Sequence, residues 1–434
     1  MSETLGMQYL KDKLAVKALR CQTRYDYYES KNLIKDFNIT MPEAFRWLKE
    51  SLGWCAKSVD SIADRLILDG FKNDNFNINN IYEMNNRDVL FDSAILSALI
   101  TSCSFIYISA DPDGYPRLQS IDGRNATGVI DPITYMLKEG YAVLERDDQE
   151  NPVVEAYFTQ GATEIYTQGK LTMAPRNPAP YALLVPIIFR PDSKRPFGHS
   201  RISRACMDIM QAALRTLKRS EVSAEFYSFP QKYVLGTDPD REDEFESWKA
   251  SISTFLEFSA GENGEKPTVG QFTQQSMSPY TEQLRTLASL FAGETGLTLN
   301  DLGFVTDNPS SAEAIKASHE SLRLTARKAQ RTFGVGFLNA GYLAACVRDE
   351  VAYDRQVMYE TIPEWHPIFE PDAAMLSLIG DGLIKLNQAI PGYVGRDNVK
   401  ALTGIDASEE VSYGGLNTSA PVEDTEEVSE GAEE

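Results

Sequence analysis

The amino-acid sequence predicts an α+β protein, with helices and strands segregated along the chain. Three observations point there. Apolar residues recur at helical spacing in residues 5–20, 42–68, 200–227, 279–295 and 312–348. Alternating, strand-like segments crowd into residues 104–174. The turns between those strands are short and rich in Asp and Gly. With 434 residues, the chain is long enough for two or three packed units.

The N-terminal part reads as helical. In "MPEAFRWLKESLGWCAKSVDSIADRLILDGF", Pro42 stands where a first turn tolerates proline. Phe45, Leu48, Leu52, Cys55, Val59, Ile62 and Leu66 then follow in steps of three and four, tracing one helical face. Asp69-Gly70 reads as its stop. A shorter helix is predicted over 79–100.

The period then changes. "SFIYISADPDGYPRLQSID" alternates around Asp113-Gly114, a hairpin signal. Strands are expected at 126–131, 141–146, 152–158, 163–167 and 170–174. The apolar "VPIIF" closes this module, and a Pro/Gly-rich turn leads into a helix over 200–227. Ile202, Cys206, Ile209, Ala213, Leu217 and Ala224 share one face of it, while Arg201, Arg204, Arg215, Lys218 and Arg219 lie largely on others. "QKYVLG" reads as a strand, "DPDREDEFESWKASIS" as a short solvated helix and "FSAGENGEKPTVGQF" as a Gly-rich hairpin. This small α/β insert ends at a second helix over 279–295.

A polar loop, "GLTLNDLGFVTDNPSS", precedes the longest helical pattern. Ile315, Leu322, Ala326, Ala329, Phe333, Phe337, Ala340 and Ala344 keep to one face, and Ser310 or Ser311 can cap it. Gly334 and Gly336 each cost about 1 kcal/mol relative to Ala in a helix interior. They predict a kink or a close contact. "WHPIFEPD" is extended, helices follow at 372–389 and 395–402, and the composition beyond residue 407 predicts disorder.

The formal charge is −21. Nine acidic residues and no Lys or Arg lie in residues 408–434, which is less than half of that excess, so the body is acidic too. Such a body does not grip nucleic acid through a broad basic surface, but it suits one that lets nucleic acid slide past. Five cysteines without C-x-x-C spacing predict buried thiols in a reducing compartment, not a disulfide framework or a zinc site. "MSETLGMQYLKDK" lacks the pattern of a signal peptide. The most apolar windows fall short of the roughly 20 residues that span a bilayer, so no membrane is expected as a partner.

Chemistry is sparse. His199, His319 and His366 are too far apart in sequence for a helical metal pair. No phosphate-binding glycine loop and no G-x-S-x-G elbow occurs. "DPDREDE" lacks the glycine and the closing glutamate of a calcium loop. Asp147-Asp148 lies in a turn, and nothing selects a carboxylate pair for hydrolysis. No catalytic residue, metal site or cofactor is therefore expected, and the chain does not read as an enzyme. The cluster Arg215, Lys218 and Arg219 either solvates a helix or faces phosphates or a neighbouring chain.

The order of parts, together with four stretches, resembles the portal proteins of tailed bacteriophages in their compact siphophage and prophage form. "YYESKNLIKDF" is similar to the family's N-terminal segment. "AKSVDSIADRLILDGF" is similar to the helix before its β-rich wing. "VPIIFRPDSKRPFGHSRIS" resembles the passage from wing to stem, and "DNPSSAEAIKASHESL", with its N-P-x-S-A-E-A-I pattern, the junction of loop and long helix. The likeness spans about residues 25–405.

This resemblance implies a wing over 1–198, a stem helix over 199–228, a clip over 229–278, a second stem helix over 279–296 and a tunnel loop over 297–310. A long kinked helix over 311–348, a short wing or crown segment over 349–406 and an acidic tail over 407–434 complete the division. It implies a ring, usually of twelve subunits, at one vertex of the virion's capsid, assembled in the host cytoplasm. Double-stranded DNA passes through such a ring during packaging and ejection. The terminase large subunit and later the head-completion or adaptor proteins dock on the clip, among major capsid and scaffold proteins. Thr298, Asn300, Asp301, Thr306, Asp307 and Asn308 would then lie on the tunnel loop. Arg215, Lys218 and Arg219 would make phosphate or intersubunit contacts, and Gly334 and Gly336 would form a helix hinge. The competing classes are another capsid-associated structural protein and a soluble carboxylate-pair hydrolase.

Overall fold

A computed structural model describes residues 4–35, 47–228, 232–235, 268–271, 276–305, 317–369 and 373–405. They belong to two units, Met1–Ile368 and Phe369–Glu434.

The first unit opens with α1 (Met7–Tyr28), α2 (Trp54–Ala63), β1 (Leu68–Lys72), α3 (Ile78–Glu83) and α4 (Arg87–Thr101). The helix expected over 42–68 is therefore shorter. It begins at Trp54, and residues 36–46, with Pro42 and Phe45, lie outside the described residues. Its predicted face is right where it exists, since Cys55, Val59 and Ile62 are all buried. Asp69-Gly70 is not a helix stop but part of β1, which pairs antiparallel with β12 (Ile362–Trp365), from Leu68 opposite Trp365 to Lys72 opposite Ile362. Gly70 has φ +146°, and a Cβ on it would stand 2.8 Å from Asn79 Oδ1, the atom that accepts the Phe71 N–H. A strand whose partner lies near the far end of the sequence leaves no local periodic signal.

The helix expected over 79–100 is two helices. Asn86, at φ 52°, separates them, and the Asn85 side chain bonds the Leu118 N–H and the Pro116 carbonyl, tying the joint to the sheet.

Two antiparallel sheets follow. In the first, β2 (Cys103–Ala110) lies between β3 (Pro116–Ile121) and β9 (Leu184–Ile188). The second is a meander of β4 (Ala126–Ile130), β5 (Leu137–Arg146), β6 (Pro152–Phe158), β7 (Thr163–Thr167) and β8 (Lys170–Met173), close to the predicted strands. Helix α1 covers its edge. Lys13 and Lys17 donate to the β4 carbonyls of Gly128 and Ala126 at 2.7 and 2.9 Å. That blunts a strand edge otherwise open to pairing. The buried carboxylate of Glu139 accepts the Leu5 and Gly6 N–H groups at the start of α1, at 2.8 and 3.2 Å, and the Tyr157 hydroxyl at 2.8 Å. An anion there complements the helix dipole.

The rest of this unit holds α5 (Arg204–Ser228), β10 (Lys232–Leu235), β11 (Thr268–Gln271), α6 (Ser278–Thr295) and α7 (Glu320–Asp349). Strands β10 and β11 pair antiparallel. The acidic segment between them lies outside the described residues. On α7, Leu322, Ala326, Ala329, Phe333, Phe337, Ala340 and Ala344 are all buried, as the periodicity predicts. From Gly336 to Val347 the helix is buried on every side, as befits a core helix. The Phe337 ring packs tilted, 4.6 Å from that of Phe91, and the Tyr82 hydroxyl donates to the Phe337 carbonyl at 2.5 Å.

Helix α7 is continuous across Gly334 and Gly336. A Cβ on Gly334 would stand 2.7 Å from Pro363 Cγ, and one on Gly336 2.8 Å from Ile187 Cδ1. Of the two alternatives posed by the sequence, the close contact is on view: glycine lets β12 and β9 approach the helix backbone.

The second unit contains α8 (Ala373–Ala389) and α9 (Arg396–Thr403), near their predicted bounds. The Asn387 side chain accepts the Val394 N–H at 3.0 Å and shapes the turn between them. Leu378, Ile384, Ile390 and Tyr393 are exposed on it. The acidic tail lies outside the described residues.

Candidate functional site

Helices α5 and α6 form an antiparallel pair. At one end, Ser203, just before α5, donates to Glu294 Oε1 at 2.8 Å. At the other, Ser223 and Tyr280 share a hydroxyl hydrogen bond of 2.8 Å. Twenty residues of helix separate Ser203 from Ser223, about 30 Å at 1.5 Å per residue. The apolar side of α5 uses Cys206, Met210, Ala213, Leu214 and Val222, all buried.

The base of the pair is fastened by a buried arginine. Arg201, 8% exposed, donates from Nε to the Ser58 carbonyl at 3.0 Å and from Nη2 to the Thr295 carbonyl. One side chain thus joins α2, the start of α5 and the end of α6. Burial pushes its guanidinium down to about 10, so it stays charged at neutral pH. Gln211 does similar work further along. Its amide donates to the Tyr27 hydroxyl at 2.8 Å and the Leu33 carbonyl at 3.0 Å, and accepts the Lys35 N–H at 2.9 Å.

A loop leaves this base. Gly296, at φ +68°, ends α6, and a Cβ on it would stand 2.8 Å from Ser321 Oγ at the start of α7. Asp301 Oδ2 accepts both the Thr298 N–H and the Thr298 hydroxyl at 2.8 Å, and Thr298 Oγ1 accepts the Asp301 N–H at 3.2 Å. The same Asp301 oxygen is 3.9 Å from His319 Nδ1. The chain therefore leaves at Asp301 and returns beside it at His319, an excursion with a closed root. Leu297 and Leu302 are buried in that root, while Asn300 and Val305 are exposed. Thr306, Asp307 and Asn308, with the predicted caps Ser310 and Ser311, lie outside the described residues.

The basic cluster of α5 is divided. Lys218 is only 3% exposed, whereas Arg215 and Arg219 are partly exposed, and Arg215 donates to the Lys35 carbonyl at 3.3 Å. Burial in the single chain sets Lys218 apart from direct contact with phosphate.

A family model described as "Phage portal protein, SPP1 Gp6-like" matches residues 8–344, from α1 to near the end of α7. The chain belongs to this family of phage portal proteins. The portal protein of Mycobacterium phage L5 is 26% identical over 333 residues, covering 71% of this chain and 67% of that relative. The portal protein of Mycobacterium phage D29 is 25% identical over 343 residues, covering 73% and 69%. Among solved structures, a chain from the neck of a native gene transfer agent particle matches at 16% identity and a TM-score of 0.45, covering 82% of this chain and 90% of that one.

In this tailed-phage portal protein, a structural protein of the virion, Thr298 and Asp301 bond each other at the root of the loop, and Asn300 between them is exposed. Sequence reasoning missed Arg201 and Gln211, which organise the base. An arginine just before a helix and a glutamine two turns into it read as surface residues, and only the turn "FGHSRIS", with its tight backbone, hints that Arg201 points inward. Among the described residues, no group of three or more His, Cys, Asp and Glu is placed to hold a metal ion. No described helix is long and apolar enough to cross a membrane.

Proposed function

We propose that this portal protein assembles into a ring, of twelve copies, at one vertex of the capsid, and that double-stranded DNA moves through its centre during packaging and ejection. The observation that carries this reading is the closed root at Asp301 and His319. It brings the two ends of a polar segment within 3.9 Å of each other at the base of a clamped pair of helices. Family membership over residues 8–344 supports the same role.

In this reading α5 and α6 are the stem and residues 229–278 the clip, where the terminase large subunit and then head-completion proteins dock. Residues 297–310 form the tunnel loop. Thr298 and Asp301 fasten it, leaving Asn300 and residues 306–308 to meet DNA. Those side chains are neutral or acidic, so the loop does not clamp phosphates, and a moving duplex meets little electrostatic drag. Arg215 and Arg219 offer weak, spaced contacts to phosphate or to a neighbouring subunit. Bending of α7 near Gly334 and Gly336 would let loops reposition, against the close contacts of Pro363 and Ile187.

The role is tested with phage lacking this chain, complemented in trans. Heads made without it should contain no DNA. Heads made with residues 303–308 replaced by a short Gly/Ser segment should assemble yet package poorly. DNA-filled heads in the complete absence of the chain would sink the proposal.

A further inference from the structure

Helix α7 carries a surface that the described residues leave uncompensated. Leu324, Lys328, Arg331 and Val335 follow at steps of four, three and four, with Arg327 alongside, and all five are exposed. Nearby Arg323 is held by Glu320 at 2.7 Å. Among the described residues, no carboxylate lies within ion-pair distance of Arg327, Lys328 or Arg331. Three bare cations on two turns stand out in a chain of net charge −21.

A second face has the opposite character. Asp88, Val89 and Asp92 are exposed on the first turns of α4, and Asp64 is exposed at the end of α2. Arg87 reaches Asp88 at 3.0 Å but also serves Glu83 at 2.7 Å. The carboxyl of Asp92 is pushed up, first by burial and then by the charges of Asp88 and Asp64. Anions there press on one another in excess of nearby cations.

We propose that the α7 stripe of one subunit seats on the α2–α4 face of the next copy, with Arg327, Lys328 and Arg331 against Asp64, Asp88 and Asp92. Leu324 and Val335 then bracket Val89. This contact rests on the ring reading above and names the surfaces that join its subunits. It is heterologous: each subunit offers one face to each neighbour, which is what closes a ring. DNA would also attract the cations. But phosphate recognition needs no apolar residues at both ends of the stripe, whereas exposed apolar residues set among complementary charges on both faces suit a protein interface.

The test is charge reversal on the full chain, read by native mass and electron microscopy. All six sites are exposed, and thermal unfolding checks that each variant is folded. R327E/K328E/R331E should raise the concentration needed for half-assembly by at least about tenfold, and D64K/D88K/D92K should do the same. The six-fold variant should recover rings. An equimolar mixture of the two triple variants should recover rings in which the two alternate, because every contact between unlike copies then pairs opposite charges. Wild-type-like rings from the basic triple variant overturn the proposal. If those rings also fail to support DNA packaging, the stripe faces DNA instead. Failure of the folded six-fold variant to form rings overturns it as well. A wild-type chain that forms no rings removes the ring reading itself, a distinct outcome.

Discussion

Arg201 donates to the carbonyl of Thr295, the last residue of α6, while its Nε reaches the carbonyl of Ser58 in α2. Ser58 and Thr295 are both buried. Arg201→Met should strip the Thr295 carbonyl of this donor, while the Ser58 carbonyl keeps the Ser61 hydroxyl at 3.3 Å, and should cost about 2 kcal/mol. Arg201→Lys, which cannot reach both, should fall between. Urea unfolding of the three proteins gives the comparison, and a methionine variant as stable as wild type would show that the clamp contributes nothing.

Glycine in a helix has opposite effects at two sites of this chain. Gly293, in α6, has open space where a Cβ would stand, so Gly293→Ala should stabilise by up to about 1 kcal/mol. At Gly334 the same gain is opposed by the rigid ring of Pro363 at 2.7 Å, and Gly334→Ala should destabilise by about 1–2 kcal/mol. Thermal midpoints of the two variants should therefore move in opposite directions.

Asp349 closes α7, where a carboxylate is disfavoured by the helix dipole. A hydrogen bond from Arg348, at 2.8 Å, holds its carboxyl below the usual range despite some burial. A depressed folded value means that its stabilisation is fully present above the unfolded value near pH 4 and is lost as pH falls through the folded value. Asp349→Asn should be less stable than wild type at neutral pH, and the gap should close below about pH 4. Thermal melts between neutral and acid pH read this directly, and a gap that stays constant would contradict it.

All five cysteines are free and buried, and burial pushes the Cys21 thiol up to about 11. The folded chain should react with no thiol reagent at pH 8 over minutes, and denaturant should release all five thiols. A fast-reacting thiol in the native chain would place a cysteine at the surface.

The sequence reveals what is local. The β4–β8 meander follows from turn chemistry such as Asp147, whose carboxylate accepts the Gln149 and Asn151 N–H groups. The buried face of α7 follows from residue spacing. Long-range partners leave no such trace. β1 looked like the end of a helix because β12 is far along the chain, and Asn86 looked helical because its left-handed backbone shows only in three dimensions. At the candidate site, the loop was legible from its polarity and the helices around it. Arg201 was not, and neither was the burial of Lys218, because a charged side chain reads as exposed unless its carbonyl or packing partners are known. Arg327, Lys328 and Arg331 lie on the polar side of the α7 pattern, where spacing alone does not say what faces them.

The central claim is that this chain builds a ring around DNA. The native mass of the purified full-length protein, measured alongside electron micrographs, tests it most directly. The account predicts closed rings of about twelve chains with a central opening of roughly 20 Å or more, wide enough for a duplex. A compact monomer or dimer at every concentration, with no rings, would contradict it.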